Sequence, residues 1–155
     1  MGDTSSIPID TELNFSTLEW QGVYPFAKPV QVHGKVSQTA DVVRLTATVK
    51  YTYNGLCDRC AEPISDNRSF DIEHILVTEI AGEDNEDFLL IENFELSLDE
   101  LIQTDLLLNL PMKNLCKPDC LGLCMVCGKN LNQGSCGCQH EVVDPRLEIL
   151  KQLIN

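Results

Sequence analysis

The chain has 155 residues, of which 43% are hydrophobic, and its 24 acidic and 11 basic side chains give a net charge of −13. This composition predicts one soluble globular domain with its own core, no membrane span, and a surface that repels a phosphate backbone. The first residues, MGDTSSIPIDTEL, show neither a basic nor an apolar signal region. We therefore expect a cytoplasmic, reducing environment, in which clustered cysteines bind metal or catalyse redox reactions.

Three segments after residue 29 have the pattern of β-strands. VQVHGKV at 30–36 alternates valines with polar residues, and VVRLTATVKYTY at 42–53 alternates more clearly. A third strand is predicted at 70–80. The first CxxC pair, Cys57 and Cys60, therefore falls at the tip between two antiparallel strands.

Two helices are predicted further along the chain. Ser97 and Glu100 have the spacing of a capping box, so a helix should run from Leu98 to about Leu110 and stop at Pro111. Asp144-Pro145 has the residue types of an N-cap and a first helical position, which predicts a short terminal helix. Its residues at helical spacing are Leu147, Leu150, Lys151 and Ile154.

These elements predict an α+β fold. It would combine an antiparallel β-rich domain, a capped helix, a C-terminal cysteine-rich zinc-binding segment and a short terminal helix. We expect residues 1–29 to be a partly flexible N-terminal segment and 30–112 to form the β-rich core with the helix and an acidic segment. Residues 113–155 would then form the zinc module with the terminal helix.

The eight cysteines have the spacing of metal ligands. Gly128 follows one CxxC pair and Gly137 separates two cysteines, and both glycines permit the tight turns that direct backbone N–H groups at sulfur. We assign one tetrahedral zinc site to Cys124, Cys127, Cys136 and Cys138. The remaining four make a possible second site, although ligands could be exchanged between the two groups. They are Cys57, Cys60, Cys116 and Cys120.

Other uses of the cysteines stay open. A cytosolic dithiol redox protein using Cys57 and Cys60 is the alternative function, but such dithiols sit at a helix N-terminus and here AEPIS follows as a turn. Disulfides and an iron–sulfur centre are less favoured, and His140 is the alternative zinc ligand. The sequence has no local signature of a catalytic triad or phosphate loop, so we expect no enzyme.

The acidic residues are unevenly distributed. Residues 69–112 contain twelve acids and neither Lys nor Arg. The plain interpretation is a solvated surface, and the functional one is a face for a basic partner. The candidate partner-binding residues are Glu83, Asp84, Glu86 and Asp87.

The chain resembles the YceD family, the bacterial large-ribosomal-subunit RNA accumulation proteins with relatives in chloroplasts. The resemblance rests on CDRC at 57–60, CKPDCLGLCMVCGKNLN at 116–132, CGC at 136–138 and DPRLEILKQL at 144–153. It implies a non-enzymatic role in accumulating large-subunit ribosomal RNA and in ribosome assembly. The expected partner is a basic ribosomal protein or a large-subunit assembly complex, with indirect or limited contact to the RNA.

Overall fold

A five-stranded sheet and one α-helix make up most of the structure. The structure is a computed structural model that describes residues 5–39, 42–79, 88–93 and 95–139. The strands are β1 (Ser5–Leu13), β2 (Val30–Thr39), β3 (Val42–Leu56), β4 (Pro63–Val77) and β5 (Phe88–Leu90). They pair in chain order, antiparallel from β1 to β4, and β5 lies parallel to β4. The helix α1 (Leu98–Leu108) and a 3₁₀ turn (Leu131–Gln133) follow.

The three predicted strands are confirmed, and they are longer than their alternation indicated. β4 begins at Pro63, seven residues before the apolar alternation starts, because its polar first half pairs with the end of β3. The last pair of this ladder, Leu56 with Pro63, leaves Cys57 and Cys60 in the connection between the two strands. The predicted position of the first CxxC pair at a hairpin tip is therefore confirmed.

The hydrophobic core lies between one face of the sheet and α1. Val49 of β3 and Val32 of β2 are fully buried opposite each other, and Ile102 of α1 is fully buried as well. The sheet is curled. Gly34 in β2 permits a close approach to β3, because a Cβ there would lie 2.2 Å from the Thr46 carbonyl oxygen.

Helix α1 is held to the sheet by packing and by one polar pair. The His74 Nε2 of β4 and the Asp105 Oδ2 of α1 are 2.8 Å apart, and Asp105 is buried. The helix begins directly after Ser97, as predicted, and ends before Pro111. In the described structure the Ser97 side chain makes no capping hydrogen bond, so the capping-box prediction is wrong. The acids in the first turn instead complement the helix dipole.

The predicted α+β class is wrong, because the fold is mostly β. Strand residues outnumber helical residues several-fold, and β1 forms in the segment 1–29, for which no regular structure was predicted. The sheet is also mixed, whereas a wholly antiparallel one was expected. The terminal helix predicted from Asp144 lies outside the described residues. In the described ranges no helix is long and apolar enough to cross a membrane.

Candidate metal centres

The structure brings the eight cysteine sulfurs together as two groups of four. In the first group, here called site one, all four sulfurs lie within 4.8 Å of one another. Two of the distances are 3.8 Å, between Cys57 and Cys120, and 3.6 Å, between Cys60 and Cys116. A tetrahedral ion with metal–sulfur bonds of about 2.3 Å requires sulfurs about 3.8 Å apart. Site one can therefore hold a metal ion with little rearrangement.

The second group, here called site two, has the same compactness. The sulfurs of Cys124, Cys127, Cys136 and Cys138 also lie within 4.8 Å of one another. Gly137 has φ of +71°, a conformation that lets the chain reverse between Cys136 and Cys138. The eight cysteines, all of which lie in the described ranges, form no disulfide. Site two can therefore hold a metal ion as well.

A tight turn at the tip of the β3–β4 hairpin presents the first CxxC pair. The Ala61 N–H donates to the Cys57 carbonyl at 2.8 Å, and the Cys57 N–H donates to the Glu62 carbonyl at 2.8 Å. Ala61 has φ of +57°. The left-handed residue directly after the pair lets both cysteine side chains point to the same side of the turn.

The second CxxC pair has the same turn. The Gly128 N–H donates to the Cys124 carbonyl at 2.9 Å, and the Cys124 N–H donates to the Lys129 carbonyl at 2.8 Å. Gly128 has φ of +74° and occupies the place of Ala61. The chain thus builds one local structure twice, and each copy supplies two sulfurs to one site.

Hydrogen bonds fix site one between the hairpin tip and the later cysteine segment. The backbones of Asp58 and Asn114 are joined at 2.8 Å, and the Asn114 N–H donates to the Asp58 carboxylate. The Arg59 Nη1 donates to the Cys120 carbonyl at 2.9 Å. Arg68 donates to the Asn114 side chain and lies over the Tyr53 ring, 4.3 Å from its centre. Site one therefore joins elements that lie far apart in sequence.

Asn132 is a site residue that the sequence reasoning missed. Its Nδ2 donates to the Cys120 Sγ at 3.3 Å, and its Oδ1 accepts the Leu121 N–H at 3.0 Å. A donor directed at a thiolate stabilises the charged form. The available signal was the NLN sequence directly after Gly128 and Lys129, because asparagine both caps short turns and donates to sulfur.

The comparison with known families identifies the chain. A family model described as "Large ribosomal RNA subunit accumulation protein YceD" matches residues 45–154, which is most of the chain and includes all eight cysteines. The chain belongs to the YceD family. The resemblance inferred from the cysteine motifs is thereby confirmed.

The individual proteins that match the chain share limited sequence identity with it. Uncharacterized proteins of Mycobacterium bovis and of two strains of Mycobacterium tuberculosis are each 28% identical to the chain over 125 residues. The match covers 77% of this chain and 59% of each relative, so the chain spans less than two thirds of their length. No solved structure matches the chain.

Backbone donors lower the pKa of one thiol in each site of this YceD protein. Burial acts to raise the pKa of Cys57, but N–H groups of Cys116, Arg59 and Cys60 outweigh it and lower that pKa to about 6. N–H groups of Cys127 and Val126 point at the Cys124 Sγ at 3.5 and 3.4 Å and lower the pKa of Cys124 to about 6. In site one the Asn132 side chain also lowers the pKa of Cys120, so each site holds at least one thiol that ionises readily.

Another thiol in each site is shifted the other way. Local desolvation and the neighbouring sulfurs raise the pKa of Cys116 to about 12. Hydrogen bonds with Cys127 and Cys136 raise the pKa of Cys138 to about 12. Without a cation, the four sulfurs of a site cannot all ionise, because adjacent thiolates repel one another. A bound dication would remove this repulsion and displace the remaining protons.

The two sites differ in exposure. Three thiols of site one are at most 4% exposed and belong to the main hydrophobic core: Cys57, Cys60 and Cys120. In site two only Cys124 is buried, while Cys127 is exposed and the other two are half-buried. Site one is therefore part of the core, and site two lies at the surface.

The remaining candidate residues are outside the described ranges. They are Glu83, Asp84, Glu86, Asp87 and His140. Their roles as partner-binding acids and as an alternative ligand stay predictions.

Proposed function

We propose that this YceD protein is a zinc-stabilised, non-enzymatic factor that promotes the accumulation of large-subunit ribosomal RNA during ribosome assembly in the cytoplasm. The observation that carries the proposal is the pair of four-sulfur sites inside a chain matched by the YceD family model. The family description names large-subunit ribosomal RNA as the molecule that accumulates. Metal bound at the two sites would stabilise the fold.

Zinc is the metal that fits these sites best. Four thiolates in a tetrahedron are the usual ligand set of structural zinc, which leaves no open position for a reacting molecule. Two grooves of the described structure lie on the sheet, and none of the eight cysteines lines either of them. This arrangement supports a structural metal and a protein that acts by binding.

We propose that the partner is a basic ribosomal protein or an assembly complex that contains one. The described residues on either side of the predicted partner-binding segment carry exposed acids, namely Glu79, Glu92, Glu95, Asp99 and Glu100. They would extend an acidic surface around Glu83, Asp84, Glu86 and Asp87. Opposite charges accelerate association and favour the correct partner, and salt weakens both effects. Contact with the RNA would then be indirect or limited.

The test of this proposal combines depletion with charge removal. Depleting the protein should lower large-subunit RNA relative to small-subunit RNA, and the unaltered chain should restore it. A variant with Glu83→Gln, Asp84→Asn, Glu86→Gln and Asp87→Asn should fold normally, capture less ribosomal protein from nuclease-treated lysate and restore the RNA poorly. The matched control removes four exposed acids outside residues 69–112: Asp10, Glu12, Glu19 and Asp119. Equal capture and equal RNA levels for both variants would show that the four acids at 83–87 face solvent and do not contribute to partner binding.

The dithiol redox function has one feature in its favour, the pKa of Cys57 near 6. Against it, Cys57 is 3% exposed, its sulfur lies in a group of four, and it sits in a hairpin turn and not at the start of a helix. An incoming disulfide could not reach this sulfur without opening the site. A thiol–disulfide exchange assay on zinc-loaded protein separates the two functions, because turnover at the rate of a dedicated oxidoreductase would support the redox role.

A further inference from the structure

The face of the sheet that points away from the core is polar and carries two grooves. Their volumes are about 640 and about 570 Å³, and both are lined by β2, β3 and β4. On β2 the second groove ends at Gln31 and the first begins at His33, so the two grooves adjoin along the strands. We call this surface the outer trough.

The carboxylates of this face are already bonded to neighbouring strands. Alternation along the strands places four of them on it, and each pairs with one side chain at 2.6–3.1 Å. The pairs are Asp10 with His33, Glu12 with Gln31, Asp71 with Thr48 and Glu73 with Arg44. Each hydrogen bond uses part of the acceptor capacity of its carboxylate and fixes that carboxylate on the sheet.

Three lysines of the same face have no such partner. Lys28, Lys35 and Lys50 line the outer trough and are exposed, and none of them forms an ion pair or a hydrogen bond in the structure as described. Together with Arg44 they balance the four carboxylates, so this face has a formal charge of zero in a chain of net charge −13. The outer trough therefore offers free ammonium donors away from the excess negative charge.

The lysines are spread along the trough with hydroxyl groups beside them. Lys50 lies opposite Gln31, and Lys35 lies four residues further along β2. The Cα atoms of the two lysines are therefore about 14 Å apart. Ser69 lies opposite Lys50, and Thr46 lies opposite Lys35. Such a row of point charges and hydroxyl donors fits an extended anion with several charged groups.

The trough has no exposed aromatic ring among its lining residues. Tyr51, the aromatic residue that lines it, is 6% exposed. Stacking on bases requires an accessible ring, whereas contacts to phosphate need only cations and hydrogen-bond donors. The trough is therefore suited to a phosphate backbone and not to reading bases.

We propose that the outer trough binds the phosphate backbone of single-stranded RNA through Lys28, Lys35 and Lys50. A flexible single strand can follow a shallow trough, and it carries one phosphate per nucleotide whatever its sequence. This inference rests on the function proposed above, because it gives the limited RNA contact a place. That place is separate from the acidic segment that would bind a basic protein.

Salt-dependent binding tests the contact in the full-length, zinc-loaded protein. The probe is a fluorescein-labelled single-stranded RNA of mixed sequence and about 16 nucleotides. Three phosphate contacts to a single strand predict a slope of about −2 for log affinity against log salt, or a loss of roughly 20-fold between about 50 and about 200 mM. Changing the order of the bases should leave the affinity nearly unchanged.

Two lysine variants with the same charge change locate the contact. The first combines Lys28→Gln, Lys35→Gln and Lys50→Gln, and at about 50 mM salt it should bind about tenfold or more weakly with a nearly flat salt slope. The control combines Lys113→Gln, Lys117→Gln and Lys129→Gln, three exposed lysines outside the sheet. It should bind within about threefold of the unaltered chain and keep the slope.

Several results would overturn the proposal. Equal losses in the two lysine variants would show that only the overall charge matters. Competition by poly-glutamate as effective as that by RNA of equal charge would assign the trough to acidic peptides. Amide shifts on RNA addition that avoid 28–35, 46–52 and 67–73 would place the contact elsewhere. An unaltered chain that binds no RNA would also overturn it, whereas the depletion experiment would still decide the accumulation function separately.

Discussion

Removing one ligand from each site should affect the fold to different extents. Cys116→Ser and Cys127→Ser are comparable substitutions, because both cysteines are exposed and neither substitution creates a buried cavity. Site one joins residues 56 positions apart, Cys60 and Cys116, whereas Cys127 and Cys136 of site two are nine positions apart. A cross-link stabilises mainly by limiting the unfolded chain, and longer loops gain more.

The magnitudes follow from these loop lengths. The chain-entropy relation gives roughly 4 kcal/mol for a cross-link that closes the longer loop and roughly 2.5 kcal/mol for the shorter one. The stabilisation from site one acts on the whole core, because this site holds the β3–β4 hairpin to the later segment. The stabilisation from site two acts only on the residues around it. We therefore expect Cys116→Ser to lower the free energy of unfolding of the core by up to about 4 kcal/mol, and Cys127→Ser to leave it nearly unchanged.

Urea unfolding under reducing conditions, followed by fluorescence, measures this difference. Trp20 is the only tryptophan and packs against the core, so its emission reports the sheet and not site two. Hydrogen exchange on the same samples should show that Cys127→Ser accelerates exchange near site two and leaves 42–77 protected. Equal shifts of the Trp20 transition in both variants would refute the independence of the sites. No shift in Cys116→Ser would refute the role of site one in the core.

Three further outcomes are expected. His74→Ala should lower the free energy of unfolding, measured in urea, by about 2 kcal/mol, because it leaves the buried Asp105 carboxylate unpaired. His33→Ala, which breaks an exposed pair with Asp10, should lower it by less than about 0.5 kcal/mol. Equal losses in the two variants would contradict this reasoning. Ala61→Gly should raise the free energy of unfolding by about 0.5 kcal/mol, because glycine accepts the positive φ without strain, and a loss of stability would refute that reason. Zinc affinity, measured by competition with a chromogenic chelator, should fall about tenfold or more per pH unit from pH 8 to pH 6. The reason is that the thiols whose pKa is raised to about 12 must release their protons when zinc binds. An affinity that does not change with pH would exclude thiol ligands.

The sequence predicted the strands that carry apolar alternation and failed for those that do not. β3 shows the pattern along most of its length, and its prediction is confirmed. β1 and the first half of β4 are rich in Ser, Asp, Pro and Asn, which individually disfavour strands. Both form because neighbouring strands supply hydrogen-bond partners along a continuous register. Such tertiary pairing leaves little trace in the local sequence, which is why the α+β class was predicted in place of a mostly β fold.

The cysteine groups were easier to predict than the strands around them. Ligand spacing and a glycine after the second CxxC pair are local features, so they predicted the same two sets of four that the structure brings together. The first CxxC pair has Ala61 where the second has Gly128, so the repeat of one turn was not visible from residue identity. The side-chain donor Asn132 was missed for a related reason, since it reaches the Cys120 sulfur from twelve residues further along the chain.

The position of the sites in the fold predicts how the protein would respond to loss of metal. Site one lies in the core, where its sulfurs pack with the side chains that join the sheet to the rest of the chain. Site two lies at the surface, and its removal exposes little more than its own turn. Metal should therefore leave site two first, because a surface site opens by a local fluctuation and a core site opens only with the fold. The sheet and the exposed acids beside the predicted partner-binding segment, such as Glu79 and Glu92, would survive that first step. Partner binding that depends on the acidic surface should accordingly persist after one metal is removed and fail after two.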